Sequence, residues 1–224
     1  MKIKLTACLV LILAFMVGVL VAHGEVKYVS KDAKTLGNWK GKYGSSGGVI
    51  FDAGGVDAQN VAGKKGDQVI KGVLKEYDDQ SVMRWNWASH TNEERGLQYV
   101  SDAKDRIGAC IFGSGTVTIT LTVDSKDYTV AAYFTDWDSS VRVQDISGYQ
   151  GNKPPTKSDA TLQGPEFHNG VWHLWTVTDS EPFKLQVTHK GGANWVISAF
   201  LIDVKAAVQQ KNKFVATWGS IKNQ

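Results

Sequence analysis

Residues 116–138 read T-V-T-I-T-L-T-V, then D-S-K-D, then Y-T-V-A-A-Y-F-T-D-W-D, and this stretch decides the fold. Val117, Ile119, Leu121 and Val123 alternate with Thr116, Thr118, Thr120 and Thr122. A strict period of two, rich in β-branched residues, specifies a strand with one apolar face. Asp124-Ser125-Lys126-Asp127 is a polar turn between two such runs, so the pattern predicts a β-hairpin. The second run differs. Ala131, Ala132, Tyr133 and Phe134 make it apolar on both faces, as suits a strand covered by another layer. It ends in Asp136-Trp137-Asp138, where the chain leaves the sheet. The hairpin is expected at the centre of an all-β, antiparallel, jelly-roll-like β-sandwich.

The same signals recur on either side. Residues 83–88 (M-R-W-N-W-A) set Met83, Trp85 and Trp87 on one face of a strand, against Arg84, Asn86 and Ala88. Residues 106–112 form an apolar strand that runs through Gly113-Ser114-Gly115 into the central stretch. Residues 141–144 alternate again. Residues 170–177 (G-V-W-H-L-W-T-V) put Trp172 and Trp175 on opposite faces, and Phe183, Leu185 and Val187 alternate with Lys184, Gln186 and Thr188. Residues 196–202 read as a buried strand, and Val26 and Tyr28 as an edge strand. Residues 67–74 fit a short helix or a strand equally. No segment makes a convincing helix longer than about three turns, and turn signals return every ~8–12 residues, as in a sandwich. One domain over residues 25–204 accounts for this, with the polar tail 205–224, carrying Phe214 and Trp218, packed back on it.

Residues 1–24 have the form of a signal peptide. Lys2 and Lys4 precede an apolar run, and Ala22-His23-Gly24 places small residues for cleavage before Glu25. Uncleaved, the uncharged residues 5–24 are long enough to anchor the chain in a bilayer. The expectation is an exported protein, secreted or periplasmic, with membrane contact only through an uncut leader. The formal charge is +3, and without Lys2 and Lys4 it is +1. With no basic cluster, nucleic acid is not an expected partner. Cys8 lies in the leader, which leaves Cys110 without a disulfide partner. Its setting, I-G-A-C-I-F, marks it as a small buried hydrophobe.

The eight Trp residues suggest chemistry. A sugar ring presents an apolar C–H face to Trp or Tyr, and its hydroxyls need a few convergent polar groups. Three segments have that composition: Asn38-Trp39-Lys40 with Tyr43, Trp85-Asn86-Trp87, and Trp137-Asp138 with Arg142. Trp39 and Tyr43 project from a glycine-rich loop at residues 37–48, and loops carry binding. They are the expected stacking residues, with Trp137 the next candidate and Asn38, Asp138 and Arg142 as hydrogen-bond partners from different segments. Trp85 and Trp175 are expected in the core, since each Trp buries ~150–250 Å².

Other chemistry is weakly signalled. Glycosidases hold two carboxylates ~5–9.5 Å apart, and Asp136 with Asp138 is the nearest candidate pair. The plainer reading is a turn aspartate that binds backbone N–H groups or pairs with Arg142. His90, His168, His173 and His189 lack zinc-site spacing. Asp136/Asp138 and Asp52/Asp57 are the weak candidates for structural calcium, without an EF-type loop. No cofactor and no metal site is expected. Gly113-Ser114-Gly115 lacks the strand–turn–helix setting of a nucleophilic serine.

Several segments together resemble a known type of domain. T-L-G-N-W-K-G-K-Y-G-S-S-G, the pair R-G-L-Q and D-R-I-G-A-C, A-A-Y-F-T-D-W-D-S-S-V-R, G-V-W-H-L-W-T-V, G-G-A-N-W-V-I-S-A-F-L-I-D and A-T-W-G-S-I-K occur in this order. They resemble a β-sandwich accessory domain of bacterial secreted proteins, similar to jelly-roll carbohydrate-binding modules. Asn194-Trp195-Val196-Ile197-Ser198-Ala199 departs from the usual N-A-V-x-S-G by an added Trp. The resemblance implies a sandwich fold and brings no catalytic residue with it. The expected function is a non-catalytic carbohydrate-binding module that binds glycans weakly. The alternatives are a structural or protein-interaction module of the cell envelope and a small secreted glycoside hydrolase. The sequence does not fix an oligomeric state.

Overall fold

The computed structural model describes residues 24–52 and 66–205. Residues 1–23, with most of the expected leader, residues 53–65, with Asp57, and residues 206–224, with Phe214 and Trp218 and the expected packing of the tail, lie outside the described residues. In chain order the strands begin with β1 (Val26–Asp32), β2 (Gly47–Ile50), β3 (Gln68–Ile70), β4 (Leu74–Asp78) and β5 (Met83–Thr91). There follow β6 (Leu97–Gln98), β7 (Arg106–Gly113), β8 (Thr116–Val123), β9 (Tyr128–Phe134), β10 (Val143–Tyr149) and β11 (Ala160–Gln163). A single helical turn, α1 (Gly164–Phe167), precedes β12 (Val171–Val177), β13 (Phe183–Gly191), β14 (Trp195–Ile197) and β15 (Ala199–Val204). Among the described residues no helix is long and apolar enough to cross a membrane.

The strands form an antiparallel β-sandwich. One sheet runs β1-β12-β9-β15-β2-β3, and the facing sheet runs β11-β10-β13-β8-β4. A smaller third sheet, β14-β7-β5 with β6 also on β7, adjoins them. The chain passes from the third sheet into the first at Ser198, between β14 and β15.

The central stretch supplies two strands where expected, but they do not form a hairpin. β8 pairs with β13 and β4, whereas β9 pairs with β12 and β15 in the other sheet. The turn at residues 124–127 is therefore an arch across the sandwich. Inward residues Val117, Ile119, Leu121 and Val123 meet Tyr128, Val130, Ala132 and Phe134 across the core instead of alongside it. Four polar residues can close a hairpin or bridge two layers, and burial of both apolar faces selects the second.

The double-sided apolar character of β9 has a direct cause. Tyr128, Val130, Ala132 and Phe134 belong to the main core between the sheets, while Ala131 and Tyr133 belong to a second core on the outer face of the first sheet. β12 divides in the same way, with Trp175 in the main core and Trp172 in the second. The second core is roofed by the glycine-rich loop, whose Trp39 and Tyr43 rings pack over Ala131, Tyr133 and Trp172. Trp172 Nε1 donates to Leu36 O at 2.7 Å and so ties the loop down. Gly37 lets it lie flat, because a Cβ there would run into the Gly96 carbonyl.

A buried ion network fixes the strands beside the third sheet. Arg84 on β5 donates through Nε and Nη2 to Asp67 at 2.9 and 2.6 Å, and through Nη2 to Asp79 at 2.6 Å. Tyr77 Oη donates to the same Asp67 carboxylate at 2.6 Å. Asp67 and Asp79 have fully buried side chains, so the bidentate guanidinium is what makes their burial tolerable.

Candidate functional site

The site lies on one face of the third sheet. Met83 stands opposite Phe112, Phe112 opposite Val196, and Trp85 opposite Cys110, so these side chains share a face. Register shifts around residues 86–91 bend β5 as it passes Trp87. Trp85, Trp87, Cys110, Phe112 and Val196 form the apolar wall of a cavity of about 140 Å³, whose rim is Asp138, Arg142 and Asn194.

The rim is built from a loop wound around one carboxylate. Asp136, fully buried, accepts from Ser139 Oγ at 2.7 Å, from the Arg142 backbone N–H at 3.2 Å, and from Arg142 Nη1. Arg142 Nη1 also donates to Asp138 Oδ1 at 2.6 Å, and Arg142 Nε to Asn194 Oδ1 at 2.8 Å. One guanidinium therefore joins the loop after β9 to the turn before β14. The neighbouring Gln144 locks that geometry. Its buried side-chain amide donates to Val196 O at 3.0 Å and accepts from Val196 N at 2.9 Å, acting as a strand partner for β14.

Behind the wall, aromatic and cationic groups alternate. Arg95 Cζ sits 4.2 Å from the Trp137 ring centroid. Trp137 stacks on Trp87 with centroids 6.3 Å apart and planes 11° apart, and Arg142 Cζ lies 6.0 Å from Trp87. Guanidinium over an aromatic face is an attractive arrangement. His168 holds the far side. Its Nδ1 lies 2.8 Å from Asp136 O and 2.7 Å from Ser139 O, and its Nε2 lies 3.2 Å from Arg95 Nη1. Arg95 can only donate, so this network assigns the proton to Nδ1.

Several polar groups face the cavity. Arg142 is 6% exposed, yet its Nη2 has no hydrogen-bond acceptor among the described residues, and neither has Asn194 Nδ2. Asp138 is half exposed. Its burial opposes ionisation, but the hydrogen bond and charge of Arg142, with the Trp87 N–H nearby, hold its carboxyl below the usual range. Trp85 is 54% exposed beside them. The cavity thus combines an open indole face, N–H donors held in place by buried partners, and an ionised acceptor.

Of the residues expected from the sequence, Trp137, Asp138 and Arg142 come together here. Asn38, Trp39 and Tyr43 do not. Trp39 is 5% exposed and donates from Nε1 to Gln98 O at 2.8 Å. Tyr43 is 8% exposed, its ring 4.9 Å from Trp172 and its Oη donating to Asp32 at 2.7 Å. Both rings also line a separate cavity with Lys40, Lys42 and Asp203, but rings this deeply packed leave little surface for a sugar, and the expected grouping of Trp39 and Tyr43 with Asp138 and Arg142 is corrected. Asn38 is exposed and accepts from Arg106 Nη2, apart from the cavity. Trp137 contributes from behind, through Trp87, and does not line the cavity.

Trp85 is a second correction. Expected in the core, it lies half open on β5, the edge strand of the third sheet. Trp175 is fully buried, as expected. Phe112 and Asn194 were not anticipated. The alternation of Met83, Trp85 and Trp87 was the available signal, but the same pattern marks a core face equally well. Trp195 is buried in the main core, and its neighbour Asn194 stands at the rim. Asp136 and Asp138 converge on Arg142 and do not flank a cleft, so neither the paired-carboxylate arrangement nor an open oxygen-ligand loop exists there. Cys110 is fully buried and its thiol is pushed well up by burial, in keeping with a packing role. A scan of the chain against protein-family models and a search of curated proteins found no match.

Proposed function

We propose that this chain is an exported, non-catalytic saccharide-binding module, and that its site is the cavity bounded by Trp85, Trp87, Phe112, Asp138, Arg142 and Asn194. One observation carries the reading: a solvent-open indole face, Trp85, stands beside donors and an acceptor already fixed by buried partners. Sugars need this combination, a flat apolar surface for C–H groups and rigid hydrogen-bonding groups for hydroxyls. Preorganisation reduces the ordering cost of binding. A single such site supports weak affinity, about 4–8 kcal/mol or millimolar to micromolar. The motif resemblance to carbohydrate-binding modules points the same way.

The test is a glycan array with the protein and its Trp85→Ala variant. Binding to a glycan class that Trp85→Ala abolishes in a folded protein supports the reading. Binding that survives this substitution moves the site elsewhere, and no binding on the array removes the function. Met83 and Val141, 59% and 66% exposed, flank the residues of the cavity and favour a second reading, a protein-interaction face. That reading predicts capture of an envelope protein that is weakened by Met83→Ser and unaffected by free sugars.

A further inference from the structure

Resting on the saccharide reading of this cavity, we infer that its ligand is a neutral sugar residue and that carboxylated sugars are rejected. The argument starts from charge. Among the residues lining the cavity, only Arg142 and Asp138 are charged. The guanidinium is already paired with Asp138 and with Asp136 directly behind it, so the three groups together carry a formal charge of −1. Two nearby cations are also compensated: Arg95, against Trp137, pairs with Glu93 at 2.7 Å, and Arg84, next to Trp85 in sequence, pairs with Asp67 and Asp79. Arg142 therefore offers the cavity hydrogen-bond donors without an uncompensated positive charge.

A sugar carboxylate at this rim would meet the ionised Asp138 as a like charge and lose water against an aromatic wall. Both effects oppose binding. A neutral sugar matches the same groups. A hydroxyl both donates and accepts. One hydroxyl can donate to Asp138 while its neighbour accepts from Arg142 Nη2 or Asn194 Nδ2, and hydrogen bonds to ionised partners are the stronger kind. The ring's C–H face then lies on Trp85. A cavity of about 140 Å³ is small for a ligand pocket and suits one ring, with the rest of a glycan outside.

The experiment titrates the full chain with methyl glycosides of neutral hexoses and with the matched hexuronates, which differ only in bearing a carboxylate at C6. Chemical-shift changes of the Trp87 indole N–H and the Asn194 side-chain amide, both on cavity-lining residues and both kept in Trp85→Ala, report binding. At low salt the hexuronates should bind about tenfold or more weakly than the hexoses. The gap should narrow at high salt, as screening weakens repulsion, and narrow again in Asp138→Asn. Salt dependence keeps the test decisive if that variant loses all affinity. Hexuronates binding as well as hexoses, with both lost in Trp85→Ala, would overturn the inference and leave the saccharide reading intact. Failure of every saccharide to bind would remove the reading itself, and the inference with it.

Discussion

Trp87 and Trp137 lie nearly parallel, 11° apart in plane and 6.3 Å apart in centroid, although they come from an edge strand and from a loop 50 residues along the chain. This stack joins the face of the third sheet to the loop that carries Asp138 and Arg142. Gly108 on β7 leaves room for it, since a Cβ there would lie 2.8 Å from Trp137 ring atoms.

Gly108→Ala should therefore displace Trp137. The expected loss is about 1–3 kcal/mol of stability, the usual cost of overpacking, with weakened ligand binding. In a Trp137→Ala background the same substitution should cost much less. Denaturant titrations of the single and double variants measure that coupling.

The two tryptophans with contrasting fates give a second test. Trp39→Ala empties part of the second core and breaks the bond to Gln98, so it should cost about 3–5 kcal/mol. Trp85→Ala removes a half-exposed ring and should change stability by less than about 1 kcal/mol while abolishing binding. Equal destabilisation by the two variants would contradict the observed burial.

Gln144→Leu keeps the side-chain volume but leaves the N–H and C=O of Val196 without their partners in a buried setting. Each unmet group costs about 1–3 kcal/mol. The turn bearing Asn194 should also shift, so affinity should fall even under conditions where the variant is fully folded. Calorimetric binding below the unfolding transition checks this.

Acid sensitivity should centre on His173. It is buried among Tyr28, Phe134 and Trp175, with Tyr28 Oη 3.0 Å from Nδ1. Burial and, secondarily, Lys31 bring its pKa down to about 4. The unfolded chain titrates near 6.5 and takes up the proton first. The stability linked to this group is complete above about pH 6.5 and is lost as the pH falls towards about 4, by roughly 3 kcal/mol. His173→Gln should flatten the stability profile across that window, as measured by chemical denaturation at a series of pH values.

Much of the fold was legible because strands are written locally. The alternation in residues 116–123 and 183–188, and the opposite faces of Trp172 and Trp175, required only the period-two geometry of an extended chain. The apolar character of β9 on both faces correctly announced a covering layer. The site was legible in part. Two of the three Trp-containing segments meet at it, and the pairing of Asp136 with Arg142 was readable from their spacing around a turn. The third segment, with Trp39 and Tyr43, looked like a binding loop because glycine-rich loops usually stay at the surface. Here the glycines let the loop lie flat on the first sheet, and its aromatic residues became a roof.

The sequence by itself determined most of the longer strands, the apolar faces of residues 116–123 and 183–188, and a turn at residues 124–127, while residues 67–74, undecided between helix and strand, and the short strand β11 were settled only by their pairing. Tertiary structure decided which strand each one pairs with and which aromatic rings remain open. β8 found its partners in β4 and β13, and β9 in β12 and β15, all outside the stretch that first suggested a hairpin. The physical reason is that backbone hydrogen bonds are interchangeable between strands, while burial is a property of everything packed around a side chain. Whether an indole serves as core or as binding surface depends on what covers it, and in this chain the covering segments lie far away in sequence.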